Sequence, residues 1–174
     1  MKFNVSGLLL EGVGSTREYE IDLPLETPGK DPEQVKGDVE FLRTPSGVLV
    51  RAHLNLVEPE SCSRCLRPLD ELVEIKFEEE FVSTVDARTG HALPRDEIDP
   101  DAFLIDDKHV LDLSEAVRQY REVSLLMQPL CRPDCRGLCP VCGADLNDGD
   151  CGHATAASDE RWAGLAALKG LTEG

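Results

Sequence analysis

The feature that most constrains this chain is a cluster of metal-binding residue types near its C-terminus. The stretch LCRPDCRGLCPVCGADLNDGDCGH contains six of them: Cys131, Cys135, Cys139, Cys142, Cys151 and His153. A further pair, Cys62 and Cys65, lies upstream in SCSRCLRPL. Thiolate and imidazole are the ligands that zinc prefers in closed tetrahedral sites. Eight ligands are enough for two such sites, and every cysteine of the chain is then used.

The spacing of these residues favours one division into two sites. The step CPVCG is typical of a zinc knuckle, and the turn sequence NDG that follows can bring later ligands back to it. The first predicted site contains Cys139, Cys142, Cys151 and His153. The second predicted site contains Cys62, Cys65, Cys131 and Cys135. We therefore predict two zinc ions per chain.

Spacing alone leaves other arrangements open. One zinc ion could bind Cys131, Cys135, Cys139 and Cys142, which would leave Cys62 and Cys65 without metal or joined in a disulfide. A single zinc ion could also use another four of the six C-terminal candidates. An iron–sulfur cluster is a further alternative, although the histidine and the glycine-bearing knuckle favour zinc. A closed zinc site would be structural, because it has no open position for water or substrate.

The acidic charge of the chain limits its partners. With 34 acidic and 18 basic residues, the formal net charge is -16. Nonspecific nucleic-acid binding is not expected, because it depends largely on Lys and Arg displacing counterions from phosphate. A basic protein would be attracted by the same charge. Closely spaced cysteines favour metal binding in reducing cytoplasm over disulfides, and no apolar stretch approaches the ~20 residues that span a bilayer.

Hydrophobic alternation predicts a β-rich core. We expect strands at residues 2–10, 17–23, 35–42, 48–57 and 73–82, joined as an antiparallel meander. The resulting prediction is an α+β fold: a mainly antiparallel sheet or partly open barrel with a few short helices and a C-terminal cysteine-rich zinc-binding segment. Residues 1–128 would form the β-rich core domain, and residues 129–174 the metal-binding segment and a terminal helix at 158–171.

One helix is predicted just before the cysteine cluster. Asp112 and Glu115 have the spacing of a capping box, and Pro129 would end the helix. Its apolar face would contain Leu113, Ala116, Val117, Tyr120, Val123 and Met127. This helix would lead the chain directly into the cluster.

Two segments resemble a known family. CSRCLRP at residues 62–68 and PLCRPDCRGLCPVCGADLNDGDCGH at residues 129–153 resemble the bacterial YceD family, whose members are linked to accumulation of large-subunit ribosomal RNA. Many members end the cluster with Cys-x-Cys, whereas this chain has Cys151-Gly-His153, an exchange that keeps a ligand. Some relatives that lack the distal cluster still resemble this chain around Cys62 and Cys65, as the two-site division would expect.

The resemblance implies a cytoplasmic, non-enzymatic accessory factor in 50S subunit biogenesis that affects 23S ribosomal RNA. Its implied partners are a large-subunit precursor, a basic ribosomal protein or ribosomal RNA. Four arginines flank the cysteines of the second predicted site: Arg64, Arg67, Arg132 and Arg136. Chelation would gather them into a candidate surface for RNA or another partner. The alternative is that they offset the charge of four cysteinates on one zinc ion.

Other function classes have weaker support. A thiol redox or metal-sensing protein would use Cys62 and Cys65, and a zinc-ribbon module would bind another protein. The sequence has no P-loop, no dinucleotide-binding glycine pattern and no H-E-x-x-H motif. We therefore predict no catalytic residues, no enzyme activity and no small-molecule substrate.

Overall fold

A computed structural model describes residues 1–26, 31–93 and 99–153. Its elements, in chain order, are β1 (Lys2–Asn4), α1 (Ser6–Leu10), β2 (Thr16–Leu25), β3 (Glu33–Arg43), β4 (Gly47–Ser61), β5 (Pro68–Ser83), β6 (Phe103–Ile105), β7 (Val110–Asp112) and α2 (Ser114–Ser124). The helix predicted at 158–171 lies outside the described residues. Neither α1 nor α2 has the length and apolar character needed to cross a membrane.

The chain divides into two compact units. The first unit contains Met1–Pro59 and Asp70–Met127. The second contains Glu60–Leu69 together with the described residues 128–153. The turn between β4 and β5 is therefore part of the second unit. The predicted division at residues 128 and 129 into separate domains stays a prediction.

The strands form one mixed sheet with the order β1-β7-β6-β5-β4-β3-β2. β2 pairs antiparallel with β3, and β3 pairs antiparallel with β4, as the meander predicts. β6 pairs parallel with β5, and β1 pairs with β7 at the opposite edge from β2. β6 and β7 fall outside the meander prediction, because three residues are too few to establish an alternating pattern. The mainly antiparallel sheet with two helices confirms the predicted fold class.

The sheet curls so that its two edge strands approach each other. The ring of Phe3 on β1 lies 5.3 Å from the ring of Tyr19 on β2 and 5.3 Å from the ring of Phe41 on β3, measured between centroids. β1 and β2 are nevertheless not paired, so the sheet is a half-barrel. Its concave side holds the apolar core, and every second residue of β4 from Val48 to Leu56 is buried there.

The prediction of a strand over residues 2–10 is wrong beyond Asn4. The strand ends there, and residues 6–10 form α1, which buries Leu8 and Leu9. The Asn4 side chain accepts a hydrogen bond of 3.1 Å from the backbone N–H of Ser6, a local turn that competes with strand pairing. A short apolar run such as Leu8-Leu9-Leu10 does not alternate and fits either structure.

The predicted helix exists, but its boundaries and buried face differ from the prediction. α2 ends at Ser124, and its N-cap is Leu113 rather than Asp112, although the Asp112 carboxylate accepts a 2.9 Å hydrogen bond from the Ser114 N–H. Val123 is 81% exposed and Met127 is 99% exposed, so neither joins the core. The buried residues of the helix are Ala116, Val117 and Arg121.

Gly37 on β3 occupies a position that admits no side chain. Its φ is +144°, and a Cβ there would lie 2.1 Å from the backbone carbonyl oxygen of His53 on β4. We expect Gly37→Ala to lower the free energy of unfolding by about 1–3 kcal/mol. Alanine is strained at this φ, and the backbone of β3 must in addition move away from β4 to make room for the Cβ.

Gly90 offers a matched control for this substitution. Its φ is also positive, +71°, but a Cβ added there would have no neighbour within 4 Å. Urea denaturation of Gly37→Ala and Gly90→Ala compares the two positions. If Gly37→Ala lowers the free energy of unfolding no more than Gly90→Ala does, the close contact with β4 does not restrict the side chain at position 37.

Candidate metal centres

The structure brings the eight candidate ligands together in two groups within the second unit. We call them the proximal group, made of Cys62, Cys65, Cys131 and Cys135, and the distal group, made of Cys139, Cys142, Cys151 and His153. Within each group, the ligand atoms all lie within 4.8 Å of one another. This is the division that the spacing favours. That the groups hold zinc stays a prediction.

The proximal group is assembled by backbone hydrogen bonds between two chain segments. The turn that carries Cys62 and Cys65 is closed by a bond of 2.9 Å from the Leu66 N–H to the Cys62 carbonyl oxygen. Leu66 has a φ of +61°, which completes the tight turn. The Ser63 N–H donates a 2.8 Å bond to the Pro129 carbonyl oxygen and so brings the segment with Cys131 alongside.

The sulfur separations in the proximal group fit a tetrahedral metal site. The Sγ atoms of Cys62 and Cys135 are 3.8 Å apart, and those of Cys65 and Cys131 are 3.6 Å apart. Zinc–sulfur bonds of about 2.3 Å in a tetrahedron give sulfur–sulfur edges of about 3.8 Å. A disulfide needs about 2.05 Å, and all seven cysteines are free thiols. Cys62 and Cys65, the pair that a redox role would use, both lie in the four-sulfur group.

Backbone hydrogen bonds lower the pKa of at least one thiol in each group. Hydrogen bonds from the backbone of Cys131 and Cys65 lower the pKa of Cys62 to about 6. In the distal group, hydrogen bonds from the backbone of Cys142 and Val141 lower the pKa of Cys139 to about 6. Both thiols are therefore largely thiolate at neutral pH, which is the form that binds metal.

The distal group is built on a knuckle. The Cys139 N–H donates a 2.8 Å bond to the Ala144 carbonyl oxygen, and the Gly143 N–H donates a 2.8 Å bond to the Cys139 carbonyl oxygen. Gly143 has a φ of +74°, a conformation that suits glycine at the point where the chain turns. His153 Nδ1 lies 3.9 Å from Cys139 Sγ and 3.4 Å from Cys151 Sγ. These distances bracket the edge of about 3.6 Å that tetrahedral zinc–nitrogen and zinc–sulfur bonds would give.

The two groups differ in exposure. Three of the four proximal cysteines are buried, whereas in the distal group only Cys139 is buried and both Cys142 and His153 are exposed. Around the proximal group, the partly buried side chains of Leu69, Leu130 and Leu138 pack against the sulfurs. An apolar surrounding limits solvent access to a metal site. The proximal group is therefore the better shielded of the two.

The four flanking arginines are all exposed and lie in the second unit, but they have different partners. Arg64 donates a 2.8 Å bond to the Cys135 carbonyl oxygen. Arg67 forms ion pairs with Asp145, at 2.8 Å, and with Asp148. Arg132 donates to the Asn147 side-chain oxygen at 2.8 Å. The Arg136 guanidinium has no such partner among the residues that the structure describes, and contact of any of the four with RNA stays a prediction.

The turn at Asp145, Asn147 and Asp148 contributes contacts that the sequence did not predict. Its sequence, DLND, was informative only as a turn signal. In the structure these side chains contact Arg67, Arg132 and the Cys135 sulfur. Burial raises the pKa of Cys135, but the side-chain amide of Asn147 and the backbone of Gly137 outweigh it, and the net pKa is lowered.

Comparison with known proteins finds a family and individual relatives that match most of the chain. The family model described as "Large ribosomal RNA subunit accumulation protein YceD" matches residues 50–169, which include both ligand groups. Proteins described as uncharacterized from Mycobacterium bovis and from Mycobacterium tuberculosis (strain H37Rv) are each 32% identical over 133 residues, 76% of this chain. The chain covers 61% of the length of these relatives. No solved structure matches it.

Proposed function

We propose that this chain, which belongs to the YceD family, is a non-enzymatic accessory factor in the biogenesis of the large ribosomal subunit. The family description ties its members to accumulation of large-subunit ribosomal RNA. The observation that carries the proposal is that the matched residues, 50–169, contain both ligand groups, nearly all of β4 and the whole of β5, β6 and β7. We further propose that the protein acts in the cytoplasm.

In this proposal zinc is structural. The proximal group supplies four sulfurs and the distal group three sulfurs and one imidazole, which are donor sets that zinc favours. Four protein ligands fill a tetrahedral site, so the donor sets leave no position for a substrate. The chemistry that zinc would supply is therefore crosslinking of the chain, and the protein would act by binding a large-subunit precursor.

The acidic charge bears on which component of the precursor is bound. A formal charge of -16 favours a basic ribosomal protein as the main partner, so any contact with ribosomal RNA would be confined to a local basic surface. The test is sedimentation of a native cytosolic extract through a gradient. We expect the protein to migrate with large-subunit precursors at low salt and to be released as the salt concentration rises. Migration only at the top of the gradient at every salt concentration would contradict the proposal.

The four arginines provide a second test of the binding surface. We expect replacement of Arg64, Arg67, Arg132 and Arg136 by glutamine to weaken association with precursors about tenfold, because guanidinium groups that contact phosphate are lost. Association would be measured by co-sedimentation at fixed salt concentration.

A charge-matched control separates this surface from the net charge. The control variant replaces Arg17, Arg51, Arg88 and Arg118 of the first unit by glutamine, which changes the net charge by the same amount. Since the Arg136 side chain makes no hydrogen bond or ion pair within the described ranges, Arg136→Gln tests the surface without breaking a polar contact of the ligand groups. Equal co-sedimentation of the two four-residue variants would mean that the flanking arginines only offset thiolate charge.

A further inference from the structure

Asn147 links the two ligand groups through its side chain. It lies in the turn between Cys142 and Cys151, which are both ligands of the distal group. Its Nδ2 atom nevertheless donates a hydrogen bond of 3.3 Å to Cys135 Sγ, a ligand of the proximal group. A residue that belongs to the loop of one group thus contacts a sulfur of the other.

The orientation of the Asn147 amide is fixed by its neighbours. Its Oδ1 atom accepts bonds from the Arg136 backbone N–H at 2.9 Å and from the Arg132 guanidinium at 2.8 Å. Its Nδ2 atom also donates to Asp145 Oδ1 at 2.7 Å. Donors surround the oxygen and acceptors surround the nitrogen, so a flipped amide would face like groups on both sides. The N–H group must therefore point at the Cys135 sulfur.

The turn that carries Asn147 is held at several points. The Leu146 N–H donates a 2.9 Å bond to the Gly137 carbonyl oxygen, and the Asp145 carboxylate pairs with Arg67 at 2.8 Å. Asp145 Oδ1 also accepts a 2.8 Å bond from the Asn147 backbone N–H. The start of the loop, just after Cys142, is held by the bond from the Cys139 N–H to the Ala144 carbonyl oxygen, and the other end of the loop lies at Cys151. Closure of the distal group would fix Cys151 beside Cys139 and Cys142.

We propose that Asn147 is a positioning residue through which closure of the distal group strengthens metal binding by the proximal group. The proposal rests on the zinc-binding part of the proposed function. An N–H donor directed at a ligating sulfur spreads its negative charge and fixes its orientation, and loss of such supporting contacts typically weakens metal affinity by about 10–100-fold. Because linkage is reciprocal, a metal in the proximal group strengthens binding in the distal group by the same factor.

The substitution Asn147→Asp isolates the N–H donor. The aspartate keeps an oxygen acceptor for Arg132 and Arg136 but replaces the donor by a carboxylate oxygen beside the Cys135 sulfur. We expect the apparent dissociation constant of the proximal group for zinc to rise about tenfold, measured by competition with a chelator of known affinity. Asn55→Asp on β4 in the first unit is the charge-matched control, with no expected change. Asn147→Ala removes the donor without adding charge and should weaken binding in the same direction.

The coupling itself is tested by removing the distal group. In a Cys142→Ser, Cys151→Ser variant we expect the proximal group to lose affinity by a similar factor, and Asn147→Asp to have little further effect, because the loop that carries it is no longer closed. Cobalt substitution distinguishes a four-sulfur site from a three-sulfur, one-nitrogen site by its absorption spectrum. The spectrum therefore shows which of the two groups holds the metal whose affinity is measured.

Each outcome of these measurements decides the proposal. Additive effects of the two changes, or an Asn147→Asp affinity equal to that of Asn55→Asp, would overturn the role of Asn147 and leave two independent zinc sites. A wild-type protein that retains no zinc would overturn both this role and the zinc-binding part of the proposed function. Neither result bears on migration with ribosomal precursors, which is measured separately.

Discussion

Replacement of Cys135 by serine is expected to unfold the second unit while leaving the first unit folded. The buried apolar cluster of the second unit consists of Cys62, Cys65 and Cys135, with three partly buried leucines packed on it. A cluster this small cannot offset the conformational entropy of ordering the surrounding loops. Structural zinc contributes apparent binding energies of about 10–16 kcal/mol, and that energy is also folding energy. Loss of the proximal metal should therefore remove most of the stability of this unit.

The measurement is amide hydrogen exchange with and without a zinc chelator. We expect residues 60–69 to lose protection together with residues 128–153, because Cys62 and Cys65 share a group with Cys131 and Cys135. The β2–β3–β4 part of the sheet should keep its protection, since it has its own core. Loss of protection confined to residues 128–153 would contradict the shared proximal group.

Cys142→Ser is the matched control, because Cys142 is an exposed ligand of the distal group. It should lower the zinc content from two ions to one and leave residues 60–69 protected, although the proximal metal is held less tightly. If Cys142→Ser and Cys135→Ser lose protection over the same residues to the same extent, the two groups do not differ in structural importance.

The ligand groups could be predicted because short spacings restrict which cysteines can meet. A C-x-x-C step places two sulfurs beside one ion, which left open how the steps combine and whether one or two metals are bound, and the turn at Asn147-Asp148-Gly149 favoured two sites. The contacts of Asn147 and Asp145 could not be predicted in the same way. Both residue types are typical of turns for local reasons, and nothing in the sequence shows which distant sulfur or guanidinium a turn side chain will contact.

The buried face of α2 could be predicted only in part: Leu113, Ala116, Val117 and Tyr120 pack in or against the core as the spacing predicts, whereas the rest of the face differs for another reason. Helical periodicity assigns apolar residues to the core, and Val123 and Met127 fit that pattern by spacing. The core instead takes Arg121, which is completely buried. Charged residues are almost never buried without a partner, and the partners, Glu33 and Glu58, lie on strands far away in sequence. The sequence pattern of α2 alone does not indicate that Glu33 and Glu58 are its partners.

The Arg121 ion pairs join two segments of the first unit. Glu58 on β4 precedes Cys62 along the chain, and Arg121 on α2 precedes Cys131. Arg121 Nε donates a 2.9 Å hydrogen bond to Glu58 Oε2 and lies 3.1 Å from Glu33 Oε2. The segments that lead to the two halves of the proximal group are thus joined within the first unit. We infer that this ion pair lowers the conformational entropy that is lost when the ligands come together.

Arg121→Met is therefore expected to lower the free energy of unfolding of the first unit by about 3–5 kcal/mol. The change removes the guanidinium and with it the ion pair of the Glu58 carboxylate, which is only 1% exposed. Urea denaturation followed by the far-ultraviolet signal of the sheet measures the effect. Without the ion pair, more conformational entropy is lost when the ligands come together. The variant should therefore bind zinc in the proximal group more weakly than wild type under conditions in which both are folded.

Two further variants decide whether the buried charge causes the loss. Arg118→Met on the same helix removes an i,i+3 ion pair with Glu115 that is partly exposed, and such pairs contribute about 0.5 kcal/mol or less. Addition of Glu58→Leu to Arg121→Met removes the buried carboxylate as well and should restore much of the stability, because replacing both members of a buried pair by apolar residues is often neutral. A loss for Arg121→Met as small as that for Arg118→Met, or no recovery in the double variant, would show that packing of the Arg121 side chain, rather than its charge, joins α2 to the sheet.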